Sequence, residues 1–388
     1  MSYSQAREFL AEHAEVIELT GDGGARLAVC PQWQGRVMTS TCGGEDGPSF
    51  GFINRPFIEA GKPDPQLNNY GGEERFWISP EGGQFSLWFA PGAEQDWQNW
   101  YTPAALNEGA WAVTSAAGGP ECRMATRMKL QNASATEFEF DVSRDIRLLG
   151  AEDFRALLGE TAAEIVGRDG VKIVAYETVN KITNRGPEMT RQKGLVSIWI
   201  LGMFNASPAT VVIVPYKPGD QARLGPVVKS DYFGKIPAER LKVLPRAVLF
   251  AADANHRSKI GTSQRRARDV LGSIDFAAGA LTLVQFTMPE DPAACDYMNN
   301  MWGGSHAEPY SGDVANSYND GPGESGDQLG AFYEIESLSP AAALTTGELL
   351  VHRHRTVHVQ AGPATLDGLA REVLGVELET VRKEMLPQ

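Results

Sequence analysis

Cysteine is scarce in this chain: four in 388 residues, at 30, 42, 122 and 295. None of the short spacings that build a structural metal site occurs, so they read as buried thiols rather than ligands or a disulfide framework. Positive charge is short as well. Against 49 Asp and Glu stand 35 Lys and Arg, a net charge of −14, which argues against nucleic acid or an anionic membrane surface as a partner. No apolar run approaches the roughly 20 residues of a membrane span. The opening MSYSQAREFLAEHAEV has no apolar signal core and reads as a short helix capped near Ser4. These absences fit a soluble, cytoplasmic protein with no membrane partner and no cofactor or metal. No repeat, low-complexity tract or clear linker interrupts the sequence, so residues 1–388 read as one domain.

What the sequence does have is strand pattern and turn punctuation. Apolar residues make up 42% and charged residues 22%, with 41 Gly and 23 Pro, a balance that suits a loop-rich globular protein with a full core. Period-two alternation recurs, as in Met124, Thr126, Met128 and Leu130, or Phe138, Phe140 and Val142. Strands are predicted over Arg26–Cys30, Arg36–Thr41, Phe85–Phe89, Ala110–Ser115, Arg123–Gln131, Thr136–Ile146, Lys172–Ile182, Val196–Met203, Thr210–Pro215, Ala247–Ala251, Ala280–Thr287, Ala331–Ser337 and Glu348–Val359. Helical pattern is confined to the N-terminus, Ala151–Leu158, Pro237–Leu241 and Leu366–Lys383. Many strands without alternating helices predict a mainly β fold, a large antiparallel two-sheet β-sandwich with few short helices.

The most informative stretch is FYEIESLSPAAALTTGELLVHRHRTVHVQ, residues 332–360. Glu334 and Glu336 sit two residues apart, which on a strand places both on one face about 7 Å apart. Like charges at that spacing push one pKa upward, as a general base or a proton-sharing pair requires. The plainer alternative is an edge strand whose acidic face meets water. After the pair come Ser339-Pro340, Leu344, Thr346-Gly347-Glu348 and a second strand. That order resembles the end of the galactose mutarotase-like (aldose 1-epimerase-like) family, where a catalytic Glu on a strand precedes a Pro-Gly-Glu-type turn and a closing strand. Ala25–Val29, Pro31 and Gly35–Ser40 are similar to the family's opening hairpin, and Asn68–Trp77 to its Gly-Gly loop. The resemblance implies a supersandwich with a sugar site on a concave sheet. It places Glu336 as the catalytic base, Glu334 beside it, and Arg75 as a substrate contact.

The pattern departs from the family at its two histidines. The central run reads Asn180-Lys181-Ile182-Thr183-Asn184-Arg185, with Arg185 in the histidine's place, and Tyr70 precedes Gly71 in the first loop. Arginine keeps its proton at working pH, so Arg185 can orient a substrate but cannot serve as the acid. The acid is therefore sought in Tyr70 or in His306, within the Gly-, Asn- and Asp-rich run Trp302–Asp320, which reads as a loop over the site and also carries Asp320. His256 lies in a second polar loop, and Trp97 and Trp100 in a polar run suited to stacking on a sugar face. His352, His354 and His358 share a strand face, but strand rise spreads them too far for one zinc ion, so the tract reads as structural or surface. The expectation is a carbohydrate-active protein, with a small sugar or glycan as partner, doing acid–base chemistry near an anomeric carbon. Its rivals are a sugar-binding protein without catalysis, and a lyase or glycosidase on the same fold.

Overall fold

The computed structural model describes residues 1–115, 119–323 and 326–386; 116–118, 324–325 and 387–388 of the predicted 1–388 unit lie outside the described residues. Among the described residues the strands are β1 Ile17–Thr20, β2 Arg26–Cys30, β3 Arg36–Thr41, β4 Arg75–Ser79, β5 Ala112–Val113, β6 Glu121–Gln131, β7 Glu137–Leu148, β8 Lys172–Asn184 and β9 Ser197–Asn205. They continue as β10 Thr210–Pro215, β11 Leu241–Val243, β12 Ala247–Ala251, β13 Ser258–Ser263, β14 Val270–Asp275, β15 Ala280–Phe286, β16 Asp313–Asn319, β17 Phe332–Leu338 and β18 Leu349–Gln360. The fold is mainly β, 36% strand against 18% helix. Its sheets are antiparallel: ten strands in the order β11-β12-β10-β14-β15-β18-β8-β7-β6-β5, five in the order β13-β16-β17-β9-β4, and a small β1-β2-β3 sheet that the two-sheet expectation did not include.

Alternation decides which face each residue takes. In β7, Phe138, Phe140, Val142 and Ile146 are buried while Glu139, Asp141 and Asp145 turn outward. In β10 all six residues are buried. Val212 and Val214 face the main core, and Val211 and Ile213 face a second core built with helices Ala151–Leu158, Glu160–Val166, Pro363–Leu369 and Leu378–Met385. A strand covered on both faces loses its polar half. The five-stranded sheet is also two-sided. From β9, Ile198 and Ile200 are buried in the main core, and on the alternate positions the buried Trp199, Leu201 and Met203 also line an outer cleft.

Local predictions failed where side chains overrode pattern. Phe85–Phe89 forms no strand: Ser86 accepts the Trp88 N–H and donates to the Glu81 carbonyl, bending the chain while Leu87, Trp88 and Phe89 are buried. Pro237–Leu241 is not helical; its end opens β11. The first helix, Tyr3–His13, is capped by Ser2, two residues earlier than Ser4. The C-terminal helix is two, because a π turn at Ala370–Leu374 ends on Gly375 at φ +71°. Cys30, Cys42 and Cys122 are buried free thiols and Cys295 is half-buried.

Candidate functional site

The outer face of the five-stranded sheet forms the floor of a cleft of about 330 Å³. Register aligns its contributors: Lys259 pairs with Tyr318, Tyr318 with Glu334, and Glu334 with Met203, so one row crosses four strands. In the next row Glu336 pairs with Leu201 and Leu201 with Arg75. Loops supply the walls: Glu81, Trp97 and Trp100 from one, Tyr232 and Phe233 from a second, Asn300–Trp302 from a third. The indoles are contiguous. Trp97 stacks on Trp100 at 5.2 Å, Trp100 on Trp302 at 6.4 Å, and Trp77 meets Trp199 edge-on at 5.4 Å. Trp97 is 48% exposed at the rim, an open platform of the kind an apolar sugar face packs against.

Charge runs along the floor as a chain of pairs. Arg75 Nη2 donates to Glu334 Oε1 at 2.8 Å while its guanidinium lies 3.9 Å from the Trp77 ring centroid. Lys259 Nζ donates to Glu336 Oε2 at 3.0 Å, and the Trp199 indole donates to the same oxygen at 2.9 Å. Glu336 Oε1 has no hydrogen-bond partner among the described residues. Burial lifts the Glu334 carboxyl to about 7, with Arg75 pulling it down and Glu336 pushing it further up. Burial works to lower Lys259, but Glu336, Glu81 and Glu334 outweigh it and hold its ammonium above the usual range. Glu81 Oε1 accepts the indole N–H groups of Trp100 at 2.9 Å and Trp302 at 3.1 Å. Burial raises its carboxyl against the pull of Lys259 and the two indoles.

Of the residues predicted from sequence, Arg75, Glu334, Trp97 and Trp100 line the cleft together. Glu336 shares their face but is fully buried behind Lys259 and Trp199. Asp320 is also one layer down, accepting the Tyr318 hydroxyl at 2.7 Å and the Gly330 N–H at 2.8 Å. The other four lie elsewhere. Tyr70 stacks on Trp33 at 4.6 Å in the N-terminal core, because the Gly-Gly turn sends Asn69, not Tyr70, to the cleft. Arg185 is on the surface with Asp141 at 2.6 Å. His306 turns away onto Gly83, its Nε2 2.6 Å from the Met301 carbonyl oxygen. His256 holds its loop through its carbonyl, which accepts from Ser258 and Asn319. The run Trp302–Asp320 borders the cleft only through Trp302 and Tyr318, and its second half is β16 rather than loop. Among the described residues no histidine lines the cleft.

Sequence reasoning missed Glu81, Lys259, Trp199 and Tyr232, all on the cleft, and took in Trp302 only as the start of the run over the site. Trp199 and Lys259 carried a signal, the period-two phase of their own strands; Glu81 carried none. The three histidines of β18 point the opposite way, into the space between the sheets. His352 Nε2 and His354 Nδ1 each lie 2.8 Å from Ser337 Oγ, and His358 contacts Glu73 at 3.0 Å and Thr282 at 2.8 Å. Burial depresses His352 to about 3 and His354 well below its usual value, so both are neutral structural groups.

A family profile matches residues 1–385, essentially the whole described chain. The chain belongs to DUF6786, a family of unknown function. None of the curated proteins matches this DUF6786 member. Among solved structures, the Slr1438 protein of Synechocystis sp. PCC 6803 is 13% identical with a TM-score of 0.52, covering 90% of this chain and 96% of that one. The protein b2544 of Escherichia coli K12, described as a candidate aldose 1-epimerase, is 13% identical at 0.49 (90% and 99%). A galactose mutarotase-like protein of Lactobacillus casei is 8% identical at 0.45 (90% and 100%). At such identities the likeness is one of fold, so the chemistry has to be argued from the cleft itself.

Proposed function

We propose that the cleft binds a reducing sugar and moves protons at its anomeric centre, with Glu334 as the base. The observation that supports this most directly is the position of Glu334: it lines an indole-walled cleft, bonded to Arg75, with a carboxyl lifted to about 7. A base titrating there is half ionised at neutral pH and can both take and return a proton. In this reading Glu336, which the resemblance puts in the base's place, is a positioning residue. It lies out of reach behind Lys259 and fixes that ammonium at the cleft floor. The indole platform takes the sugar's C–H face, and Arg75 and Lys259 take its oxygens. A neutral sugar fits the lining, where Arg75, Lys259 and Arg257 stand against Glu81, Glu334 and Asp327.

The second reading is a binding protein that stacks a sugar without turning it over. The absence of histidine from the lining among the described residues favours it. Two measurements separate them: indole fluorescence during titration with a panel of monosaccharides, and exchange NMR between their anomers. Catalysis predicts a fluorescence change and accelerated exchange for the same sugar, with exchange lost in Glu334→Gln. Binding alone predicts the fluorescence change without exchange. A protein whose fluorescence no sugar alters has another ligand.

A further inference from the structure

Among the described residues no histidine lines the cleft to act as an acid opposite Glu334, and Glu81 stands on its wall. Its seat is built. Glu81 Oε1 accepts two indole N–H groups, from Trp100 and Trp302, which arrive from different loops. Its own N–H donates to Asn300 Oδ1 at 2.8 Å, and Ser79 donates to the same oxygen at 2.6 Å. The next residue, Gly82, packs so closely that a Cβ there would lie 2.1 Å from the Met301 carbonyl oxygen. Backbone and carboxyl are both held, which is what a proton donor needs in order to meet one substrate atom repeatedly.

We propose that Glu81 is the proton donor of the cleft, delivering its proton to the ring oxygen of a reducing sugar; the assignment rests on the reading of the cleft given above. Glu334 takes the proton of the anomeric hydroxyl, and that O–H electron pair becomes the second bond of the C1 carbonyl. The bond from C1 to the ring oxygen breaks, its electron pair stays on that oxygen, and the Glu81 proton bonds there. The open aldehyde turns about C1–C2 and closes with both protons returned, so nothing is consumed. Burial acts most strongly on Glu81 and raises it, Lys259 on β13 and the two indoles pull it down, and Glu336 on β17 pushes it up. Its upward shift keeps the acid form available closer to neutrality than an ordinary glutamate would.

The donor–acceptor contacts give a direct test. The indole Nε1–H resonances of Trp100 and Trp302 should move together with pH, with a midpoint above that of an exposed glutamate, and should stop moving in Glu81→Gln. Anomer exchange in Glu81→Gln should fall by about a hundredfold or more, with sugar affinity kept and the acid-form limb of the pH profile removed. Indoles that do not titrate in the wild type overturn the proposal, as does a folded Glu81→Gln protein that exchanges sugar within a few-fold of the wild-type rate. The wild-type titration, assigned with Trp302→Phe, reads the carboxyl even if Glu81→Gln does not fold. A wild-type protein that exchanges no sugar contradicts the reading of the cleft itself, whereas undiminished exchange in Glu81→Gln contradicts this assignment alone.

Discussion

Lys259 and Glu336 form an ion pair with hardly any solvent, the lysine side chain 10% exposed and the glutamate side chain fully buried. Removing one partner strands the other charge. Lys259→Met is expected to cost about 3–5 kcal/mol in urea unfolding, and Lys259→Met/Glu336→Gln to recover a large part of that. If the double variant is no more stable than the single one, the pair is not the source of the loss. Trp97, at the rim and 48% exposed, makes the opposite prediction. Trp97→Ala should leave the melting temperature unchanged and weaken sugar binding about tenfold, roughly 1.4 kcal/mol. At this scale the sequence made Glu334, Arg75, Trp97 and Trp100 legible, because strand phase and polar context point them outward. Glu81 was not legible, since its seat is made by two indoles more than a dozen residues away in the sequence. His306 misled for the converse reason: a reactive side chain in a polar loop still faces wherever the loop's backbone turns it.

Elements were read well where pattern meets a covered face and poorly where a turn sets the path. The strand from Phe332 to Leu338 and the closing strand from Leu349 to Gln360 stand close to where alternation put them. Phe85–Phe89 has the same apolar content but is pulled into bends by one serine hydroxyl. The turn that carries Glu81 is the element on which the proposed proton donor depends. Gly82→Ala would set a methyl 2.1 Å from the Met301 carbonyl oxygen, and backbone on both sides must give way. A stability loss of about 2 kcal/mol is expected, with loss of the indole contacts to Glu81 visible in the Trp100 and Trp302 resonances. Unchanged stability and unchanged indole shifts would mean the turn relaxes freely.

Across the whole molecule, burial bends the pH dependence of stability in two directions. Glu334 keeps its proton to about 7 when folded but releases it near 4.5 when unfolded, so the folded state binds more protons in between. That contribution is complete below the unfolded value and is lost as pH rises through the folded one. His352 is the reverse: folded it stays neutral down to about 3, against 6.5 unfolded, so its contribution is present above 6.5 and lost on acidification. From pH 5 to pH 8, Glu334→Gln should therefore gain on the wild type in urea midpoint. From pH 7 to pH 5, His352→Gln should gain on it. Either trend reversed would remove the burial argument for that group. The antiparallel sandwich was legible because it follows from alternation summed over many strands; the third small sheet and the placement of the cleft residues depend on how loops close over one face.

The most direct test of the account is anomer-exchange NMR on a panel of reducing monosaccharides with wild-type protein and Glu334→Gln, each first shown to be folded. The account predicts accelerated exchange for at least one sugar in the wild type, and its loss in Glu334→Gln with binding retained. Glu334→Gln that accelerates exchange as well as the wild type would contradict it.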